Sequence, residues 1–288
     1  MKKVILNADD FGMTCGVNEG IIRSHQEGIL TSATLMATGA AFDDAVERAK
    51  ANPKLGIGCH LVLTGGNSVA PPEKIPSLAS RDSHLPETLA AFVARVSSGR
   101  IRVGDIETEL RAQIEKTRRA GIDPTHVDTH KHTHVHPRVM KVVARVAREF
   151  GITRIRNPIE SLGDSWRSTR DDGADRVKNL AASAAVLSVA SQFRAISRKY
   201  GLRSPDHFLG LAATGRLDAG ALCRLLEALP DGRTEIMSHP GVCDGDLAKT
   251  GSRLQEQRQT EMEALLSPEA KRAVRDQGLE LITYRELD

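Results

Sequence analysis

The sequence predicts an α/β fold in which helices cover a parallel β-sheet, either closed as a barrel or doubly wound. Short apolar runs alternate with longer amphipathic stretches along the whole chain, and this alternation is typical of repeated βα units. Eight of the apolar runs have the length and composition of strands. The 288 residues show no sharp change in composition, so we expect one domain over residues 1–288.

The first half of the chain alternates predicted strands and helices in a regular order. One long connection interrupts it at residues 65–86, where Gly, Pro and Ser occur at loop density. The predicted strands are 3–8, 32–38, 55–64 and 125–129, and the predicted helices are 17–28, 41–52, 87–98 and 104–120.

The second half continues the pattern but contains one segment that is hard to interpret. Residues 159–203 are first polar and then helical in pattern, and they match no motif. The remaining elements are a helix at 138–151 and strands at 153–158, 207–211, 234–240 and 279–284.

Composition excludes several classes of protein. The 40 basic and 37 acidic residues nearly cancel, and no basic run occurs, so no nucleic-acid partner is expected. Only three apolar residues precede polar ones at the start, which is too few for a signal peptide. No apolar run approaches the ~18 residues of a transmembrane helix. Four scattered cysteines predict reduced, mostly buried thiols and a cytoplasmic location.

A histidine-rich segment, "HVDTHKHTHVHP" at residues 126–137, contains five of the ten histidines. Alternation along a strand would place them and Asp128 on one face. We expect the strand to end early, which would leave the last two in a polar loop. The five are His126, His130, His132, His134 and His136.

Acidic and imidazole side chains stand at the ends of several predicted strands. In a barrel such positions meet at one rim. One carboxylate and two imidazoles leave open positions on a divalent metal, and a second carboxylate and a further histidine could serve as base and acid. These side chains belong to Asp9, Asp10, His60, Asp128, His130 and His239, with Arg156 on the fifth strand. Their joint placement predicts a hydrolytic metal site.

Four of these stretches together resemble a known family. "NADDFG", "GCHLVLT", "PTHVDTHKHTHVHP" and "IMSHPG" are similar to motifs of the YdjC/ChbG-like carbohydrate deacetylases, including their hopanoid-biosynthesis-associated branch. The likeness runs from residue 3 to the C-terminal "LITYREL". It implies a single-domain distorted (β/α) TIM-like barrel with parallel strands. It also implies metal-dependent removal of an N-acetyl group from an amino sugar.

The resemblance also implies roles for individual residues. Motif position assigns the metal to Asp10, His60 and His130. Asp9 falls where related deacetylases keep the catalytic base, and His239 falls where they keep the acid.

Four further residues match the motifs with less definite roles. Asp128 is expected to orient His130 from outside the metal site. His126 and His132 match without an assigned role. Arg156 would bind acetyl or sugar oxygens, or else form a structural ion pair.

The expected cofactor is one divalent ion, Mg²⁺ by resemblance, whereas two imidazoles favour Zn²⁺ or a similar ion. The expected substrate is an N-acetylated sugar. Aromatic residues make up only 3% of the chain, which disfavours a long oligosaccharide groove and leaves a small or lipid-linked glycoside. The family also suggests a homodimer.

Two other functions stay open. Another metal-dependent hydrolase, a phosphoesterase or an amidohydrolase, would use a similar site. Phosphoesterases that open with a histidine pair on the first strand fit less well, because two aspartates stand there. A His-rich metal-binding protein is the other alternative, although metal storage would not need Asp9, His60 or His239.

Overall fold

A computed structural model describes residues 2–160 and 189–287. Residues 161–188, which form most of the uninterpreted segment, lie outside the described residues. In the described residues, the predicted alternation of strands and helices is present, with one predicted strand, at 153–158, missing.

Six parallel strands form a curled sheet in the order β4-β3-β2-β1-β6-β5. A short seventh strand, β7, pairs with the beginning of β1. The strands are β1 (Lys2–Phe11), β2 (Ser32–Leu35), β3 (Gly56–Leu61), β4 (Val127–Thr129), β5 (His207–Leu209), β6 (Gly232–Ser238) and β7 (Glu280–Leu281).

Helices follow most of the strands. Among the described residues, no helix is both long enough and apolar enough to span a bilayer. The helices are α1 (Cys15–Gln26), α2 (Phe42–Ala51), α3 (Leu89–Ser97), α4 (Val103–Arg119), α5 (Pro137–Glu149), α6 (Ala190–Lys199), α7 (Ala219–Glu227), α8 (Gly245–Lys249), α9 (Glu256–Leu266) and α10 (Pro268–Asp276). Short 3₁₀ turns cover Pro72–Lys74, His130–Val135 and Tyr284–Glu286.

The predicted strand at 153–158 is reduced to single bridges. Ile155 bridges to Val127 of β4, and Arg154 bridges to Arg203. Pro158 has no N–H group with which to continue the ladder, so the extended segment ends there. The sheet is therefore a curled half-barrel of the α/β class, and the predicted distorted barrel is confirmed.

The two faces of the sheet differ in polarity. Along β1, Val4, Leu6 and Ala8 join the apolar core beneath the helices. The alternate residues Asn7 and Asp9 point to the opposite, inner face and are also buried. The inner face of the curled sheet is thus lined with polar groups, and the candidate site lies on it.

The thiols are less buried than predicted. Only Cys59 is buried, and burial raises the pKa of its thiol to about 12. Cys223 is partly exposed, while Cys15, the first residue of α1, and Cys243, in the loop after β6, are exposed.

Candidate active site and metal centre

A bulge at the end of β1 sets the position of two adjacent carboxylates. The register of β1 against β2 shifts between Ala8 and Phe11. Asp10 adopts a left-handed backbone conformation with φ of 67°, which is uncommon for a residue with a side chain. Asp9 and Asp10 are both buried. The bulge therefore re-aims side chains that a regular strand would point to opposite faces.

Asp10, His60 and His130 bring three potential metal ligands together. Asp10 Oδ1 lies 3.4 Å from His60 Nε2 and 3.2 Å from His130 Nδ1. The two imidazole nitrogens are 3.3 Å apart. Ligands that bind one cation at about 2.1 Å in tetrahedral directions lie about 3.4 Å apart. The triangle therefore has the size and donor types of a divalent metal site.

Only one of the two carboxylate oxygens of Asp10 accepts a hydrogen bond from the described residues. Oδ2 accepts a hydrogen bond of 2.6 Å from Arg258, whereas buried Oδ1 has no hydrogen-bond partner among the described residues. Burial alone would raise the pKa of Asp10, but Arg258, His130 and His60 lower it well below the usual range. An ionised, unpartnered oxygen facing two imidazoles fits a cation ligand.

His60 is oriented from behind by Asp128. Its Nδ1 lies 2.7 Å from Asp128 Oδ1 and 3.1 Å from the Thr34 hydroxyl. Asp128 was expected to orient His130, but the parallel register places it directly beside His60. Burial would lower the pKa of His60, yet Asp128 and Asp10 raise it to about 10. A carboxylate in this position aims Nε2 of His60 at Asp10.

Asp9 is held by Arg156 on both of its oxygens. The two guanidinium nitrogens of Arg156 lie 2.6 and 2.8 Å from Asp9 Oδ1 and Oδ2, and Nη1 also lies 2.6 Å from Asp128. Burial would raise the pKa of Asp9, but Arg156 lowers it. Arg156 itself is fully buried. Its role in the described structure is therefore an ion pair inside the sheet.

The same arginine is supported by Glu235 on β6. Arg156 Nε donates to Glu235 Oε1 at 2.8 Å, and the hydroxyl of Tyr284 donates to Oε2. Burial raises the pKa of Glu235 despite the neighbouring guanidinium. One buried arginine thus pairs with Asp9, Asp128 and Glu235 together. Asp9, His60 and Asp128 form a second possible ligand group, but Arg156 already occupies its carboxylates.

His239 lies beside Asp9, just after β6. Its Nε2 is 4.0 Å from Asp9 Oδ2, and its side chain is 12% exposed. The backbone N–H of His239 donates to Glu261 Oε2 at 2.5 Å, and Glu261 Oε1 accepts from the N–H of Gly215. Glu261 of α9 therefore fixes the loop that carries His239.

The histidine-rich segment divides among several environments. After His130 the chain turns through the 3₁₀ segment, in which Lys131 and His132 have positive φ values of 53° and 51°. His132 is partly exposed and packs edge-on against Phe208. His132 therefore lies near the rim but outside the ligand triangle.

The other histidines of the segment have structural contacts. His126 stacks on Tyr284 with ring centroids 3.5 Å apart. His134 contacts the Thr129 hydroxyl at 2.6 Å and the Arg156 carbonyl at 3.2 Å. His136 caps α5. His134 was expected to solvate a loop, but its hydrogen bonds anchor the segment that carries Arg156.

Several residues of the site were not predicted from the sequence. Arg258 and Glu261 are buried although they belong to a polar helix. Their spacing of three residues, with Leu265 four further on, places them on one helix face, and that is the only signal in the sequence. The others are Thr34, Glu235 and Tyr284, which stand in otherwise ordinary strand or C-terminal segments.

A family model described as "YdjC-like protein" matches residues 3–276. The chain belongs to the YdjC-like family. The aligned region includes the bulge at the end of β1, the ligand triangle and the loop of His239.

Similar proteins cover the chain from end to end. A carbohydrate deacetylase of Brevibacillus brevis is 34% identical over 286 residues, covering 99% of both chains. One of Geobacillus stearothermophilus is 35% identical over 283 residues, covering 98% of this chain and 96% of the relative. The crystal structure of an Enterococcus faecalis V583 protein assigned to cellobiose-phosphate cleavage superimposes with a TM-score of 0.79 at 27% identity. That superposition covers 99% of this chain and 98% of the other.

Proposed function

We propose that this protein is a metal-dependent hydrolase that removes an N-acetyl group from an acetylated amino sugar. The observation that carries the proposal is the triangle of Asp10, His60 and His130, in which a buried carboxylate oxygen faces two imidazole nitrogens. Asp9 and His239 lie next to it. Relatives named carbohydrate deacetylases, which match this chain over nearly its whole length, support the choice of substrate.

The residues around the triangle supply the proton transfers of amide hydrolysis. A divalent cation bound there would polarise the amide carbonyl and acidify the attacking water. Asp9, kept ionised by Arg156, accepts the proton that the water loses as its oxygen bonds to the carbonyl carbon. His239 donates a proton to the amine nitrogen as the C–N bond breaks. Acetate and a free amine leave.

We assign the cation to Asp10, His60 and His130, the base to Asp9 and the acid to His239. Two imidazoles suit Zn²⁺ or a similar ion, while the family resemblance favours Mg²⁺. The low aromatic content, 3% of the chain, favours a small or lipid-linked N-acetylated sugar. We further propose one domain over residues 1–288, a homodimer and a cytoplasmic location.

Acetate release tests the reaction. Protein stripped of metal would be supplied with single divalent ions and assayed on N-acetylglucosamine, short chitooligosaccharides and a lipid-linked N-acetylglucosaminide. Metal-dependent acetate from any of them supports the proposal. A folded protein that binds one ion per chain but releases no acetate from any sugar would point to another amide or to a phosphate ester.

His239→Ala tests the assigned acid. Only a poor leaving group such as an amine needs a proton as it departs, so the variant should lose about 100-fold or more in kcat on an N-acetyl sugar. On an acetyl ester with a good leaving group the loss should be small. Equal losses on the two substrates would contradict the acid role.

A further inference from the structure

Arg258 is bonded to one oxygen of a proposed metal ligand. It lies on α9 and is buried to 1% exposure. Its Nη2 donates to Asp10 Oδ2 at 2.6 Å, across 248 residues of sequence. Its other side-chain hydrogen bonds are longer: 3.3 Å to the Leu254 carbonyl, 3.5 Å to the Ser252 hydroxyl and 3.6 Å to Met13 Sδ.

The ion pair with Arg258 gives the two carboxylate oxygens of Asp10 different surroundings. Oδ2 faces the guanidinium, while Oδ1 faces His60 and His130 and has no donor in the described part of the chain. Asp10 has a strained backbone, with φ of 67° at the bulge. A short charge-assisted hydrogen bond from a packed side chain restricts the rotation of this carboxylate.

The charge of Arg258 by itself works against a cation in the triangle. Like charges repel, and burial reduces the screening by water. A contribution of Arg258 to cation binding must therefore come from geometry. We propose that Arg258 is a positioning residue that holds Oδ2 of Asp10, so that Oδ1 points between His60 Nε2 and His130 Nδ1. This inference rests on the cation site of the proposed function.

The two effects of removing Arg258 have opposite signs, which makes the proposal testable. Arg258→Met keeps an unbranched side chain that fills much of the same space but removes the charge. Loss of repulsion alone would tighten cation binding. Loss of the Asp10 orientation should instead weaken it by about 10- to 100-fold, the effect typical of residues that orient a metal ligand.

The experiment is a calorimetric titration of the metal-stripped full chain with Zn²⁺, and separately with Mn²⁺. Arg258→Met should bind each ion at least about 10-fold more weakly than the wild type. Arg258→Lys, which keeps a donor and the charge, should recover part of that loss. Arg253→Met, at an exposed position five residues earlier, is the matched control and should not change the affinity.

Equal or tighter cation binding by Arg258→Met would overturn the positioning role. The same is true if Arg258→Lys, folded by circular dichroism, binds as weakly as a variant that lacks the ligand Asp10. Should Arg258→Met not fold, the comparison of Arg258→Lys with the wild type decides, and unchanged affinity overturns the proposal. Acetate does not enter this measurement. A positive result without acetate release would therefore reject the deacetylase and keep the role of Arg258.

Discussion

The two adjacent carboxylates that end β1 are both buried and both paired with an arginine, yet their environments differ. Asp9 receives hydrogen bonds from Arg156 on both oxygens. Asp10 receives one from Arg258 on a single oxygen. The first arrangement gives both carboxylate oxygens a charged donor, which offsets the cost of burying them. The second leaves a charged oxygen for a ligand. The contrast separates a carboxylate that Arg156 keeps ionised from one that keeps an oxygen without a hydrogen bond.

Breaking the network around Asp9 should have the largest effect. Arg156→Met would leave Asp9, Asp128 and Glu235 buried without their shared counter-charge. We expect the free energy of unfolding to fall by about 3–5 kcal/mol, measured by urea denaturation. Arg154→Met removes two hydrogen bonds to backbone carbonyls and should cost about 1 kcal/mol. A similar fall in the free energy of unfolding in the two variants would show that the ion pairs of Arg156 contribute no more to stability than ordinary hydrogen bonds.

Exchanging the two carboxylates for amides, one at a time, tests the contrast directly. Asp10→Asn should weaken cation binding about 100-fold, because a neutral oxygen replaces the charged ligand. Asp9→Asn should change the affinity by less than about 5-fold and abolish most turnover, because the base is lost. Calorimetric titration and acetate release measure the two effects. If Asp9→Asn also loses the cation, the assignment of base and ligand to these two residues fails.

The neutral histidines around the network should make stability depend on pH. Burial lowers the pKa of His126 to about 3 and that of His134 to about 4, from an ordinary 6.5. As the pH falls below 6.5, these histidines take up protons in the unfolded chain but stay neutral in the folded chain. The contribution of these histidines to stability is therefore full above that pH and is lost as the pH falls from 6.5 towards 4, by about 1 kcal/mol per pH unit for each histidine.

His126→Phe isolates one of these contributions. Phenylalanine keeps an aromatic ring that can stack on Tyr284 but does not titrate. The free energy of unfolding of the metal-free protein, measured by urea denaturation between pH 4.5 and 7, should depend less steeply on pH in this variant. The difference corresponds to one proton fewer taken up on unfolding. His84→Phe, at an exposed position, should leave the slope unchanged. An unchanged slope in His126→Phe would mean that His126 is charged in the folded protein.

The sequence predicts which side chains meet at the site, but it does not predict which of them pair with each other. Asp9, Asp10, His60, His130 and His239 stand at strand ends, so the βα pattern was enough to predict that they meet. The partners of these residues were not predictable in the same way. Asp128 pairs with His60 instead of His130 because the register between β3 and β4 decides it, and no local pattern encodes register between distant strands.

The strand predicted at 153–158 shows the same limit. The segment forms no continuous strand: only single bridges tie it to β4 and to Arg203. Its most important residue, Arg156, points to the inner face, where it pairs with residues 147 and 79 positions away. A pattern of apolar residues predicts an element and does not predict its partners.

The sequence by itself determined the alternating strands and helices, the parallel sheet and the family, because periodicity and motifs are local properties of the chain. The tertiary structure alone decided which oxygen of Asp10 has no hydrogen-bond partner among the described residues, that Arg156 pairs with three carboxylates, and that α9 supplies Arg258 and Glu261. The physical reason is that buried charges must find their counter-charges in space, and a distance of 2.6 Å between residues 248 positions apart arises only after the chain has folded.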